Sequence, residues 1–325
     1  MVELAYVKDV VDKALEGQLA TAEDARRLLE VQTGTRQAAY LAWGARVISQ
    51  RASGGYGQIF CQIGIDSNPC PADCIYCSYA KCNSAVNDPQ ELDIDEIVRY
   101  AKLYDSLGIH LLSIMCTSAY SYSKYCEVIQ AVRAAVSDDL PIMANLGDIN
   151  QDKAEHLKSL GVQAAYHVVR INEGAITRIT PQRREKTIEA WKQTGVKLTS
   201  CVEPVYEEAT AAEVVEAMER IIQTKPLESR VMSLSPVPGS LMENCHGVSL
   251  RRRGLINDVY RLLCGEEIAF GGSDSTIWVN AGVNPKGYTF SHNAIALEQE
   301  FKLQKKLMKG NEWTVSNRPL PVWFS

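Results

Sequence analysis

Ile59-Phe-Cys-Gln-Ile-Gly-Ile65 is followed along the chain by Ile109-His-Leu-Leu-Ser-Ile-Met115, Leu140-Pro-Ile-Met-Ala144 and Gln163-Ala-Ala-Tyr-His-Val-Val169. These runs are short and almost uniformly apolar. They lack the polar alternation of a half-exposed strand and are too brief for an amphipathic helix, so they predict strands buried on both faces, as in a parallel sheet. Four more runs extend the series: Val196-Lys-Leu-Thr-Ser-Cys-Val202, Arg230-Val-Met-Ser-Leu234, Glu267-Ile-Ala-Phe270 and Thr276-Ile-Trp-Val279.

The segments between the runs carry helix signals. Asp93 with Glu96, and Thr210 with Glu213, have the spacing of capping boxes ahead of apolar residues at helical period. Thr180-Pro181 is a cap followed by proline at the first helical position. Gly108 stops one helix, while Gly161 and Gly195 stand where a helix turns into the next strand. Strand and helix repeated about eight times predict an α/β fold, a (β/α)8 TIM-type barrel, or an open barrel-like sheet if the last units are degenerate. The weak end is the carboxyl third, because residues 270–276 leave no room for a helix.

Upstream, residues 1–55 read as a helical extension. Thr21 with Asp24 opens one helix that Gly34 is expected to close, and residues 37–50 form another, ended by Ser53-Gly54-Gly55. The expected division is therefore 1–55 as extension and 56–325 as barrel with a C-terminal helix and tail.

Composition narrows the class. The 325 residues carry 34 Lys+Arg and 39 Asp+Glu, a net charge of 34 − 39 = −5, which argues against a non-specific nucleic-acid binder. Arg251-Arg252-Arg253 is the one basic run and reads as a solvated helix start. No apolar run reaches the ~18 residues of a membrane span, and Met1-Val2-Glu3 does not open a secretory signal, so a cytoplasmic enzyme is expected. Ten cysteines are many for such a chain and favour metal binding or catalysis over disulfides.

Five of the ten fall between Cys61 and Cys82, around Cys70-Pro-Ala-Asp-Cys74-Ile-Tyr-Cys77. Three thiolates on one loop can each bind one iron of a [4Fe–4S] cubane and leave the fourth iron open for another molecule. Zinc is the rival, with Cys82 as fourth ligand. The loop's place after the first strand of a barrel and Tyr76 ahead of the last Cys favour iron–sulfur, and no second C-x2-C pair recurs downstream.

This motif resembles that of the radical S-adenosylmethionine superfamily. The likeness implies a [4Fe–4S] cluster that chelates S-adenosylmethionine and cleaves it reductively to a 5′-deoxyadenosyl radical for C–H activation. It also implies an electron donor such as flavodoxin or ferredoxin and a small-molecule or acyl-carrier substrate. Over about 140 residues from Ile59 the chain is similar to biotin synthase and its relatives, which include the [FeFe]-hydrogenase maturase and methylornithine synthase. The likeness fades after Lys225.

Carried over by position, Tyr76, Thr117, Ser118 and Arg170 fall in the cofactor-binding region. Asn172 falls where the group places an acidic or amide residue on the adenosyl ribose. Arg184 falls where it places an arginine on the methionine carboxylate, a task that suits a planar, bidentate fork. A cation in a first helical turn opposes the helix dipole, so Arg184 needs such a reason to be there.

The departures matter too. Where biotin synthase has the three cysteines of its sulfur-donating cluster, this chain has Met115, Met143 and Thr199. A second cluster here would need some of Cys116, Cys201, Cys61 and Cys82, with the strand ends Cys116 and Cys201 preferred. Sulfur insertion of the biotin or lipoyl type, in cofactor or vitamin biosynthesis, is the first expectation. The alternatives are a single-cluster rearrangement or maturase, and a zinc-stabilised scaffold without catalysis. Glu203 and Glu208 are candidate ligand contacts, as are Arg253, Asn280 and Asn284 at the mouth. His110 and His167 read as packed strand residues, His167 within reach of a ligand. The oligomeric state is open, a homodimer included.

Overall fold

The computed structural model describes residues 2–83, 88–270, 276–278, 302 and 314–315. The first strand, β1 (Tyr56–Gly64), is followed by α4 (Ile94–Ser106), β2 (Leu111–Met115), α5 (Tyr122–Ala135), β3 (Ile142–Asn145), α6 (Gln151–Ser159), β4 (Val162–Tyr166), α7 (Pro181–Thr194) and β5 (Lys197–Thr199). Ahead of them stand α1 (Leu4–Leu15), α2 (Ala22–Leu28) and α3 (Arg36–Ser53). Beyond lie β6 (Val202–Val205), α8 (Ala211–Thr224), β7 (Glu228–Ser229), β8 (Val231–Ser233), α9 (Leu250–Cys264), β9 (Ala269–Phe270), β10 (Thr276–Trp278) and β11 (Thr314–Val315).

The strands pair in parallel in the order β10-β1-β2-β3-β4-β5-β7-β9, with β11 beside β1. Among the described residues β9 and β10 end this path without pairing to each other. The architecture is an open TIM-type barrel, the expected fold in its open form. The expected strand over 196–202 is split, Ser200-Cys201 separating β5 from β6, and the expected strand over 230–234 is β8, preceded across Arg230 by a short strand, β7, that lies outside the expected run. The strands β6 and β8 lie outside the main sheet and pair with each other.

Helix starts follow the sequence chemistry. Thr21 and Thr210 form capping boxes with Asp24 and Glu213, and Thr180 caps α7 ahead of Pro181. Asp93 caps α4 by accepting from the Glu96 amide, without the reciprocal bond of a full box. The second helix ends at Leu28, earlier than expected; Gly34 instead shapes the turn before α3, which Thr35 caps. Gly54 closes α3 in the left-handed conformation. Ser249 caps α9, so Arg251-Arg252-Arg253 occupy its first turn.

Parallel register separates two sides of the sheet. Ile59, Cys61, Ile63, Leu112, Ile114, Ile142, Ala144 and Ala165 are buried in one core with α4–α7, in which Trp191 of α7 is 1% exposed. Phe60, Leu111, Met143 and Ala164, with Tyr166 against them, form a separate cluster on the barrel's inner side. A third core joins α1–α3 to β6, β8, α8 and α9, so the helical extension packs on the carboxyl-terminal half of the barrel. Among the described residues no helix is long and apolar enough to cross a membrane.

Candidate cofactor site

The loop leaving β1 is fixed before it presents any thiol. The Cys70 amide donates to Tyr79 O at 2.7 Å and the Lys81 amide to Cys70 O at 3.2 Å; the Cys77 amide donates to Cys74 O. Asn83 Nδ2 donates to Ile75 O and Cys77 O at 3.1 and 2.8 Å. Asp73, at φ 47°, accepts from the Cys82 amide and pairs with Arg178 Nε at 2.9 Å. Two backbone bonds, Ile75 N to Ile176 O and Arg178 N to Ala72 O, fasten the loop to the segment between β4 and α7. Cys74 is buried with Ala72 and Ile179, and Cys70, Tyr76 and Cys77 pack against them.

These thiols sit in low-dielectric surroundings. Burial pushes Cys77 up to about 12 and raises Cys74, although Arg170 and Arg184 pull Cys74 back down. Such thiols ionise when a cationic centre binds them. Among the described residues, no three His, Cys, Asp or Glu side chains gather around a single metal ion. The donor set and the two arginines fit an iron–sulfur cluster with an anionic ligand beside it. Cys82, the candidate fourth zinc ligand, is exposed.

The ends of β1 and β2 are locked together. Thr117 donates through its amide and Oγ1 to the two carboxylate oxygens of buried Asp66, both at 2.7 Å. The next residue brings Ser118 Oγ to 2.9 Å from Cys70 Sγ. Asp66 has no spacing signal in the sequence and escaped notice there.

A charged network lies behind the thiol loop. Arg170 Nη1 is 3.7 Å from Glu173 Oε2 and its Nε is 3.5 Å from Glu203 Oε1. Arg184 Nε is 3.5 Å from the same Glu173 oxygen, and its Nη1 is 3.2 Å from Asp148 Oδ1. Arg170 Nε and Nη1 and Arg184 Nε are buried without a hydrogen-bond partner, which leaves donors for a further anion. Burial pushes the Tyr76 phenol well up, and it shares this region with Arg170, Glu203, Cys74 and Cys77.

Asp148 accepts from Arg184, with His167 Nε2 at 3.0 Å and Thr187 Oγ1 at 3.4 Å of the same oxygen. Its burial would raise its pKa, but the His167 bond, Arg184 and Arg183 hold it down to about 2. Burial lowers the pKa of His167 despite the carboxylate beside it. His110 accepts from the Ile59 amide through Nδ1; it is buried as expected but stands one residue ahead of β2, as His167 stands one residue past β4, so neither lies within a strand.

Other expected residues fall elsewhere. Asn172, at φ 57°, is exposed and donates to Tyr206 Oη and Glu213 Oε1 at 3.1 and 2.9 Å, toward the start of α8. Its neighbour Glu173 is the one turned inward to the arginines. Glu203 reaches Arg170, while Glu208 is exposed beside His246. Asn280 and Asn284 lie outside the described residues.

The spare cysteines do not converge. Cys61 is buried with the helix layer, opposite in register to Phe60 and Gln62. Cys116 packs against that same core near Asp66 and Cys70. Cys201 is buried among Glu203, Arg230 and Glu228, and Cys82 is exposed on the thiol loop. Met143 and Thr199 do meet on the inner side, Thr199 Oγ1 donating to Met143 Sδ at 3.0 Å.

No family model matches the chain. It is 26% identical to biotin synthase from Clostridioides difficile over 304 residues, 86% of this chain and 90% of that one. It is likewise 26% identical to biotin synthase from Cenarchaeum symbiosum over 241 residues, 71% and 73% of the two chains. Among solved structures, methylornithine synthase superposes with a TM-score of 0.74 at 18% identity, covering 91% of this chain and 96% of that one. The FeFe-hydrogenase maturase HydG from Carboxydothermus hydrogenoformans superposes at 0.75 and 16%, covering 96% and 79%. At such identities these two speak for the fold.

Proposed function

Because the chain belongs to the radical S-adenosylmethionine, biotin-synthase-like group, we propose that it is a single-cluster enzyme of radical rearrangement or metallocofactor maturation, working in cofactor biosynthesis. The observation that carries the single-cluster reading is the dispersal of Cys61, Cys82, Cys116 and Cys201 over the helix layer, an exposed loop and the carboxyl ends of two non-adjacent strands, β2 and β5. Sulfur insertion stands as the second reading, supported by the likeness to biotin synthase.

When bound, a [4Fe–4S] cluster supplies the electron that splits S-adenosylmethionine into methionine and a carbon radical able to take hydrogen from unactivated C–H bonds. In this reading Cys70, Cys74 and Cys77 hold that cluster, with Ser118 beside Cys70. Arg184 and Arg170 offer their unmade hydrogen bonds to the methionine carboxylate. Tyr76 and Thr117 wall the site, and Asn172 or its inward neighbour Glu173 meets the ribose. The barrel's inner side, with Tyr166, Met143, Glu203 and the buried Arg230–Glu228 pair, receives a small polar substrate and excludes water. The reading places the enzyme in the cytoplasm with an electron donor such as flavodoxin or ferredoxin.

Anaerobic purification and reconstitution test it. The wild type should be brown, carry about four irons and form 5′-deoxyadenosine under reduction. Replacing Cys70, Cys74 and Cys77 together by Ala should abolish all three properties. A colourless zinc protein, or 5′-deoxyadenosine from the triple variant, would overturn the reading.

A further inference from the structure

Arg184 raises a problem of its own. It lies in the first turn of α7, where the helix dipole disfavours a cation, and only 5% of it is exposed. A buried guanidinium needs fixed partners, or its orientation is lost along with its solvation. Those partners come from two other loops. Asp148, three residues after β3, accepts from Arg184 Nη1 at 3.2 Å, and His167, just past β4, holds the same carboxylate oxygen through Nε2 at 3.0 Å. Thr187, one turn further along α7, bonds both that oxygen and the neighbouring backbone of Ile149. Arg183 Nε lies 3.2 Å from the other carboxylate oxygen on the outer side.

We propose that Asp148 is a positioning residue. Seated by His167 and Thr187, it fixes one edge of the Arg184 guanidinium; the Nε edge, buried and without a hydrogen bond, has the Glu173 carboxylate at 3.5 Å and is held in the direction from which an incoming carboxylate arrives. The proposal rests on the reading of Arg184 as the carboxylate-binding arginine. His167 matters because its buried ring stays neutral: it orients Asp148 by donating from Nε2 and leaves the negative charge to the two arginines, Arg184 and, on the outer side, Arg183. A cationic imidazole would compete for that charge. The planar fork then has no freedom to turn its free edge away from the site.

The experiment is S-adenosylmethionine binding to the anaerobically reconstituted full-length protein, measured by equilibrium dialysis alongside iron content. Asp148→Asn keeps the shape and loses the charge; its dissociation constant should rise about tenfold, with iron per chain unchanged. In an Arg184→Lys background the same change should have little further effect, because Asp148 acts through the guanidinium. His167→Gln, whose amide can donate to Asp148, should bind within about twofold of wild type, and His167→Phe should resemble Asp148→Asn. An unchanged constant in Asp148→Asn, or full additivity with Arg184→Lys, overturns the proposal. If Asp148→Asn does not fold, the two His167 variants decide: equal affinity in both refutes it. A wild type that holds iron but binds no S-adenosylmethionine instead refutes the reading of Arg184 on which the proposal stands.

Discussion

Gly147 is packed so closely on Ser118 that a Cβ built on it would stand 2.9 Å from Ser118 Cβ and 3.2 Å from its Cα. Ser118 in turn touches the Cys70 thiol at 2.9 Å, and Asp148 follows Gly147 in sequence. One contact therefore sets the spacing between the thiol loop and the Asp148–Arg184 pair. Gly147→Ala should displace Ser118 and with it Cys70, at a cost of about 1–3 kcal/mol as in other overpacked sites. Denaturant unfolding and iron retention after desalting should both fall. Wild-type retention in a fully stable variant would show that the neighbouring loops yield freely.

Arg184→Lys keeps the charge and loses the bidentate fork. Affinity for S-adenosylmethionine should fall by about 1.5–3 kcal/mol, the worth of a charge-assisted bond, while iron content holds because the residue is not a ligand. Calorimetric titration of the reconstituted variant measures it. Undiminished binding would pass the role to Arg170, whose Nε and Nη1 are also without hydrogen bonds.

Much of the framework could be read from the chain because strands buried on both sides are continuous apolar runs, and capping residues have short, fixed spacings. β1 to β4 and the starts of α7 and α8 fall where those signals put them. The split of β5 from β6 was not legible: Ser200-Cys201 has no turn chemistry, and what ends the strand is the departure of β6 to pair with β8. The thiol loop was legible from spacing alone. Asp148 was not, since 36 residues separate it from Arg184 and only the fold joins them. Asn172 and Glu173 differ by one residue, and the left-handed backbone at Asn172 decides which looks inward. Cys61 was the avoidable case, because strand alternation sets it opposite to Phe60 and Gln62.

The dispersal of the spare cysteines makes an arithmetic prediction. Wild type should bind about four irons, and Cys116→Ser and Cys201→Ser should each leave that number unchanged. Iron assay with Mössbauer or paramagnetic resonance spectra decides it. About eight irons, with half surviving in the Cys70/Cys74/Cys77→Ala variant and lost on replacing Cys201, would restore sulfur insertion as the leading function.

The Asp148–His167 contact predicts how stability responds to pH. His167 is buried and its pKa lies below the usual 6.5; the unfolded chain therefore takes up a proton near pH 6.5 that the folded chain refuses until lower pH. Its contribution is complete above about 6.5 and is lost as pH falls beneath that value, with a slope of up to about 1.4 kcal/mol per pH unit. Asp148 behaves differently. Its pKa is held down to about 2, so its contribution is constant above about pH 4 and disappears only toward pH 2. Between pH 7.5 and 5.5 the wild type should accordingly lose unfolding free energy, and His167→Gln, which cannot titrate, should lose less. Urea unfolding of both proteins at the two pH values measures the difference. Equal losses would mean that His167 ionises in the folded chain as readily as in the unfolded one, and that Asp148 is held by a cation after all.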